Sequence, residues 1–284
     1  MLKPSGAENK TGHPNEIALG ERFEFGENWS RFLAVLDEAR IEEAERSLKR
    51  MLGLERLSGK RFLDIGSGSG LFSLAARRMG ATVHSFDFDP KSVACTQELK
   101  RRYCPQEAAW SIEKGSVLDR DYLQSLGKFD VVYSWGVLHH TGAMWQALEN
   151  AATLVADGGF LFISIYNDQL YKSVLWRKVK QFYCSGLLGK GLTVGFFIPY
   201  FVLRGAIFDL LCLKNPLKRY SDYKKERGMA RWTDWFDWLG GYPFEVAKPE
   251  EIFNFYRQRG YRLQNLKTCG AGLGCNEFVF TKEH

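Results

Sequence analysis

Between Arg61 and Tyr166 the sequence alternates short apolar runs with amphipathic stretches, and this rhythm constrains the fold more than any other feature. The runs "RFLDIG", "TVHSFDF", "AAWSIEKGS", "FDVVYSW" and "GFLFISIY" have strand length and strand composition. Between them, "LFSLAARRMG", "PKSVACTQELKRRY", "LDRDYLQSLG" and "MWQALENAATLVAD" carry helical spacing. Buried strands joined by helical crossovers require a parallel sheet covered on both faces. The expected class is α/β, a doubly wound, mostly parallel sheet.

The flanks divide the chain further. Residues 1–57 read as an N-terminal arm and helical cap, loose to about Gly20 and then helical through "NWSRFLAVLDEARIEEAERSLKRML". Residues 58–167 form the core. The rhythm stops across 168–247, an aromatic and basic insertion longer than a connector requires, which suits a helical lid. Residues 248–284 resume with the helix "KPEEIFNFYRQRG", Pro249 in its first turn and Gly260 past its end, followed by two strands around "CGAGLGC" that pair as an antiparallel hairpin.

A hydrophobic content of 45%, a charged content of 25% and a net charge of +6 describe an ordinary globular chain and exclude global disorder. Six cysteines lack paired short spacing and the first residues lack an apolar signal region, so a cytoplasmic setting is expected. The charge-free stretch "GLTVGFFIPYFVL" is too short to span a bilayer and contains Pro199, so no transmembrane helix is expected, although attachment to a membrane surface stays open. Cys269 and Cys275 are two thiols where a structural zinc site needs four ligands; packing beside the turn is expected and no metal.

In "FLDIGSGSG" a strand delivers Gly66, Gly68 and Gly70 into a turn closed by a helix near Leu71. Glycine permits close approach of a ligand and unusual backbone angles, and the helix offers unpaired N–H groups. The next strand ends at Asp87, about twenty residues beyond the loop, where a carboxylate can accept both hydroxyls of a ribose. That pairing indicates an adenosine-containing ligand, NAD or S-adenosylmethionine. Three details favour the sulfonium: Ser73 stands where a pyrophosphate loop continues with glycine, Asp64 precedes the loop where it suits a cationic amine, and the terminal hairpin is unlike the second half of a dehydrogenase.

With "FLDIGSGSG", "VHSFDFDP", "FDVVYSWGVLHHT" and "LVADGGFLFISIY" spread over residues 60–167, the chain resembles the class I S-adenosylmethionine-dependent methyltransferases, in the small bacterial-type group that includes the ubiquinone-pathway O-methyltransferases. The resemblance implies S-adenosyl-L-methionine as cofactor and S-adenosyl-L-homocysteine as product. It implies that Asp64, Gly66, Gly68 and Gly70 hold the methionine end, that Asp87 holds the ribose, that Phe88 packs near the adenine, and that Ser116 and Val117 border the base. Many relatives carry an acid in place of Ser116, and Asp119 is a substitute for it.

"SWGVLHHTGAMW" follows the fourth strand, at the edge where open α/β sheets place their chemistry. An imidazole there can take a proton from a hydroxyl or thiol acceptor. His140 is the candidate base, in a place resembling a histidine that recurs in the family, with His139 beside it; either histidine can instead cap or pack the helix start. "IYND" after the fifth strand lacks the prolines of an amino-methyltransferase loop and is set aside, while Tyr166 and Asn167 can face the cleft. Trp232, Trp235, Phe236, Trp238, Tyr242 and Phe244 suit one wall of an apolar acceptor pocket, and Phe23, Phe25, Trp29 and Phe32 another; both groups suit an accessory core equally.

The insertion also gathers Lys172, Arg177, Lys178, Lys180, Lys190, Lys214, Lys218, Arg219, Lys224, Lys225 and Arg227. These bases can solvate a helical face, meet an acidic substrate or touch anionic lipid. No nucleic-acid-binding motif accompanies them, which disfavours RNA. The expectation is a methyltransferase for a small aromatic or lipophilic acceptor, oxygen ahead of nitrogen, carbon or sulfur. An RNA or protein methyltransferase and a non-catalytic cofactor-binding sensor are the alternatives, and oligomeric state is not legible.

Overall fold

The computed structural model describes residues 13–106, 108–215, 231–270, 272 and 274–283, with no side-chain account for Pro14 or for 231–234. Lys218, Arg219, Lys224, Lys225, Arg227 and the side chain of Trp232 therefore lie outside the described residues. Seven strands form one sheet: β1 (Arg61–Ile65), β2 (Thr82–Asp87), β3 (Trp110–Lys114), β4 (Phe129–Trp135), β5 (Val155–Tyr166), β6 (Tyr261–Lys267) and β7 (Cys275–Lys282). Their order is β3-β2-β1-β4-β5-β7-β6, parallel through β5, with β7 antiparallel to both β5 and β6. The order reverses between β1 and β4, the position at which doubly wound sheets open a cleft at the carboxyl ends of their strands.

The period of two along the strands explains the two cores. On β4, Val131 and Tyr133 face one side with Phe62 of β1 and Trp110 of β3, while Val132 faces the other with Leu63 and Ile65. The first side is covered by α3 (Glu38–Leu52), α4 (Leu71–Arg78) and α5 (Pro90–Tyr103). The second is covered by α6 (Arg120–Leu126), α7 (Met144–Thr153) and α11 (Pro249–Arg257). Between β5 and α11 come α8 (Tyr171–Cys184), α9 (Leu187–Leu211) and, after the undescribed stretch, α10 (Arg231–Gly240); a third cluster joins them to Phe23 through Tyr183 and Leu239.

Three expectations change. The arm before Gly20 contains a helix, α1 (His13–Ala18). The run from Asn28 to Leu52 is two helices, α2 (Phe25–Leu33) and α3, because Asp37 leaves the helical conformation and its carboxylate accepts the Arg40 amide at 3.0 Å as an N-cap. Pro199 does not interrupt α9, which continues for 25 residues. Gly195, whose carbonyl has no amide to bind at Pro199, is exposed, so that carbonyl meets solvent and the helix continues.

Tyr256 on α11 locks the second core: it is fully buried, packs 4.8 Å from the Phe280 ring, and donates its hydroxyl to the Leu148 carbonyl of α7 at 3.1 Å. Packing outweighs the hydrogen bond here. Tyr256→Ala is expected to cost about 3–5 kcal/mol and Tyr256→Phe about 0.5–1.5 kcal/mol in urea unfolding. Equal losses would assign the stability to the hydroxyl instead.

Candidate active site

The loop after β1 is shaped by three glycines with φ of 76° (Gly66), 55° (Gly68) and 80° (Gly70), angles that side chains disfavour. The Gly66 and Ser67 amides donate to the Phe86 carbonyl, the Ser67 and Thr96 hydroxyls meet at 2.9 Å, and Thr96 also donates to the Gly68 carbonyl. Gly70 then caps α4. A Cβ on Gly66 would lie 2.5 Å from the Val137 methyls, so the loops after β1 and β4 touch at the reversal point of the sheet.

Two carboxylates flank this loop, Asp64 buried and Asp87 partly buried. Asp64 is held beneath α4 by a directed chain: the Trp110 indole N–H donates to Ser85 Oγ at 2.8 Å, the hydroxyls of Ser85 and Ser73 meet at 2.7 Å, and Ser73 Oγ donates to Asp64. Burial still dominates and pushes the Asp64 carboxyl up to about 7. Asp87 accepts the Gly68 and Asp89 amides, both at 2.9 Å, and burial raises it to about 6. Neither is joined to a basic side chain in an ion pair among the described residues. Such an edge favours a ligand that brings positive charge and hydroxyl donors.

Beyond β4, a short helical turn at Leu138–His140 buries both histidines. His140 Nδ1 lies 2.6 Å from the Pro243 carbonyl, which can only accept, so the ring carries its proton on Nδ1 and leaves the Nε2 lone pair free of it. Around it stand Phe25 at 5.0 Å and Tyr166 at 5.6 Å, and Tyr166 also packs against His139, Trp238 and Phe244. Lys180 closes this chamber: fully buried, it donates to the Trp238 carbonyl and stands 4.8–5.7 Å from the rings of Trp238, Phe244 and Tyr166. Burial brings its ammonium down to about 7; burial and the nearby Lys180 charge hold His140 down at about 3, and burial with the neighbouring His140 and Lys180 holds His139 well below its ordinary value. His140 is thus neutral across the physiological range, and the group that titrates near neutrality is the lysine.

The profile of a family described as a methyltransferase domain matches residues 36–264. The chain belongs to this methyltransferase family. It is 30% identical over 142 residues to the ubiquinone biosynthesis O-methyltransferase of Burkholderia cenocepacia, a match covering 48% of this chain and 56% of that protein, so the match spans little more than half the length of the relative. Its fold is similar to magnesium protoporphyrin IX methyltransferase from Synechocystis PCC 6803, with a TM-score of 0.52 and 15% identity over 86% of this chain and 84% of the other. It is also similar to the N-methyltransferase NodS of Bradyrhizobium japonicum, with a TM-score of 0.51 and 14% identity over 92% and 100% of the two chains.

The family and fold are those of class I S-adenosylmethionine-dependent methyltransferases, and the residues of this methyltransferase fit that cofactor: two acids with raised pKa suit its ammonium, sulfonium and ribose, and the glycine loop admits close approach. Phe88, beside Asp87, is flanked by His13 at 5.3 Å and by the Arg22 guanidinium at 5.1 Å. The two positions assigned to the border of the base make local contacts. Val117 packs its side chain in the second core, Ser116 Oγ accepts the Leu118 amide, and Asp119, the substitute acid, caps α6 by accepting the Tyr122 amide.

The acceptor residues are not all in one place. Tyr166 lines the chamber, whereas Trp29 lies over the glycine loop, where a Cβ on Gly68 would come within 2.8 Å of its indole nitrogen. Asn167 ties β5 to the terminal turn through the Gly270 carbonyl and Asn276. Trp235 packs on Phe201 of α9, and Tyr242 offers its carbonyl to the Phe23 amide. Lys180, counted among surface bases by composition, is a core residue. Its spacing from Ser173 and Tyr183 on one buried face of α8 was the available signal.

Hydroxyl donors bind a carboxylate better than a carboxylic acid, and Asp87 titrates at about 6 before they arrive. Cofactor affinity is therefore expected to rise with pH through about 6 and to level off once Asp64, at about 7, is ionised as well. In calorimetry Asp87→Asn should weaken binding by roughly 1.5–3 kcal/mol and remove most of that slope, leaving the part set by Asp64. An unchanged affinity and slope would exclude Asp87 as the ribose partner.

Proposed function

We propose that this protein transfers a methyl group to a hydroxyl of a small aromatic or lipophilic acceptor held in the chamber between His140, Tyr166 and Lys180. The observation that carries this reading is the tautomer of His140: its proton is directed at Pro243, so its other nitrogen is presented as an acceptor inside a wall of aromatic rings. Bound S-adenosylmethionine supplies an electrophilic methyl group and leaves as a neutral thioether. The chain's own part is to exclude water with Phe25, Tyr166, Trp238 and Phe244, to orient the acceptor hydroxyl, and to take its proton as the oxygen lone pair forms the new bond. The curated relatives being ubiquinone O-methyltransferases supports oxygen over nitrogen as the receiving atom.

The same reading extends to the protons of the chamber. While Lys180 is an ammonium, a second positive charge on His140 is disfavoured; once Lys180 loses its proton, near pH 7, that opposition is gone. Turnover of a hydroxyl acceptor is expected to rise with pH through about 7, and Lys180→Met to flatten the rise. His140→Gln should lower the rate at every pH by about 10²–10⁴-fold with cofactor affinity kept. The acceptor itself is tested by incubating the protein and labelled S-adenosylmethionine with fractionated extract. Label in organic-soluble metabolites is the expected result, and label confined to RNA or protein would overturn the proposal.

A further inference from the structure

Helix α9 is apolar over most of its circumference, yet only one narrow face meets the fold. Positions Gly189, Thr193, Phe197, Phe201, Gly205 and Asp209, four residues apart, turn inward, with Phe197 5.2 Å from Trp176 of α8 and Phe201 5.8 Å from Trp235 of α10. The rest is open: Leu188, Leu192, Phe196, Leu203, Ile207 and Leu211 are between 49% and 79% exposed, and α8 adds Leu175 and Phe182 beside them. An 18-residue window of this helix has a mean hydropathy of 1.7 and is 11% buried. A contiguous apolar surface of this kind marks a contact with a partner or a membrane.

We propose that α8 and α9 dock on an anionic lipid bilayer, lying in its surface rather than crossing it. By length and composition alone α9 is able to span a membrane. Its exposed Lys190 and Arg204, however, leave only Gly191–Leu203 free of charge, about 20 Å of helix against a hydrocarbon core of about 30 Å. In the interfacial plane the same two side chains reach the headgroups while the leucines and phenylalanines enter the acyl region. Charge selects lipid over a second copy of the chain. Residues 171–215 hold six exposed bases, and their one acid, Asp209, is buried, so a two-fold contact of this face would set bases against bases, whereas anionic headgroups answer them.

The test is flotation of the full chain with vesicles of phosphatidylcholine, alone or with phosphatidylglycerol, at low and high salt. Binding to the anionic vesicles at low salt, weakened but not abolished by high salt, is expected. Phe196→Glu with Leu203→Glu should reduce partition at least about tenfold while cofactor binding, which reports the fold, is kept. Lys190→Glu with Lys214→Glu should remove the preference for anionic lipid. Absence of binding to either vesicle overturns the proposal, as does equal binding to both at every salt concentration. Self-association abolished by Phe196→Glu without vesicle binding would make the face a contact between copies, and resistance to alkaline extraction from native membranes would make α9 a spanning helix; either overturns it.

Discussion

The carboxyl edge of the sheet is organised around two acids, one buried and one partly buried, that form no ion pair with a basic side chain among the described residues. A carboxylate out of water is costly unless hydrogen bonds or charge compensate it, and Asp64 and Asp87 are both driven up by burial despite the donors they have. Much of the surrounding sequence serves this constraint. Trp110, Ser85 and Ser73 sit on three different elements and align as donors toward Asp64. Gly68 adopts a positive φ that turns its amide to Asp87, and Asp89, the cap of α5, adds its own. Ser73, which removes the dinucleotide fingerprint, is the residue that holds the first acid.

One short segment couples this edge to the chamber. Arg22 donates to the His140 carbonyl at 2.9 Å and lies over Phe88; Phe23 packs on Tyr183 of α8 and binds the Tyr242 carbonyl. Gly26 donates to Asp89 at 2.7 Å, and Trp29 covers Gly68. Gly26 tolerates no side chain, since a Cβ there would fall 2.4 Å from Lys91 Cβ. Residues 22–29 thus touch the ends of β1, β2 and β4 and the insertion at once.

What was legible in the sequence was local. Strand alternation in "FDVVYSW" and the glycine spacing in "DIGSGSG" are set within a few residues, and the doubly wound sheet with its antiparallel edge follows from them. The break at Asp37 was also local, a cap hidden inside a helical pattern. What the sequence left out of the site is tertiary. Lys180 looks like one more base of a charged insertion, and nothing near it in sequence reveals that α10 and the end of β5 close over it. The placement of Trp29 over the glycine loop depends on α2 lying against α5, which no local pattern reveals. Pro199 reads as a stop because the exposure of Gly195 cannot be known in advance.

Chamber and outer face meet in α8. Ser173, Lys180 and Tyr183 face inward, with Trp176 reaching both Trp238 of the chamber and Phe197 of α9, while Val174, Leu175 and Phe182 face out. The low dielectric that brings Lys180 down to about 7 is therefore built by the core from one side and by α8 itself from the other. A lipophilic acceptor leaving a bilayer at this face would pass from acyl chains to the rings around Tyr166 with little intervening water. In the proposed reading, the helix that would present the protein to lipid also carries Lys180, the charge that would govern proton acceptance by His140.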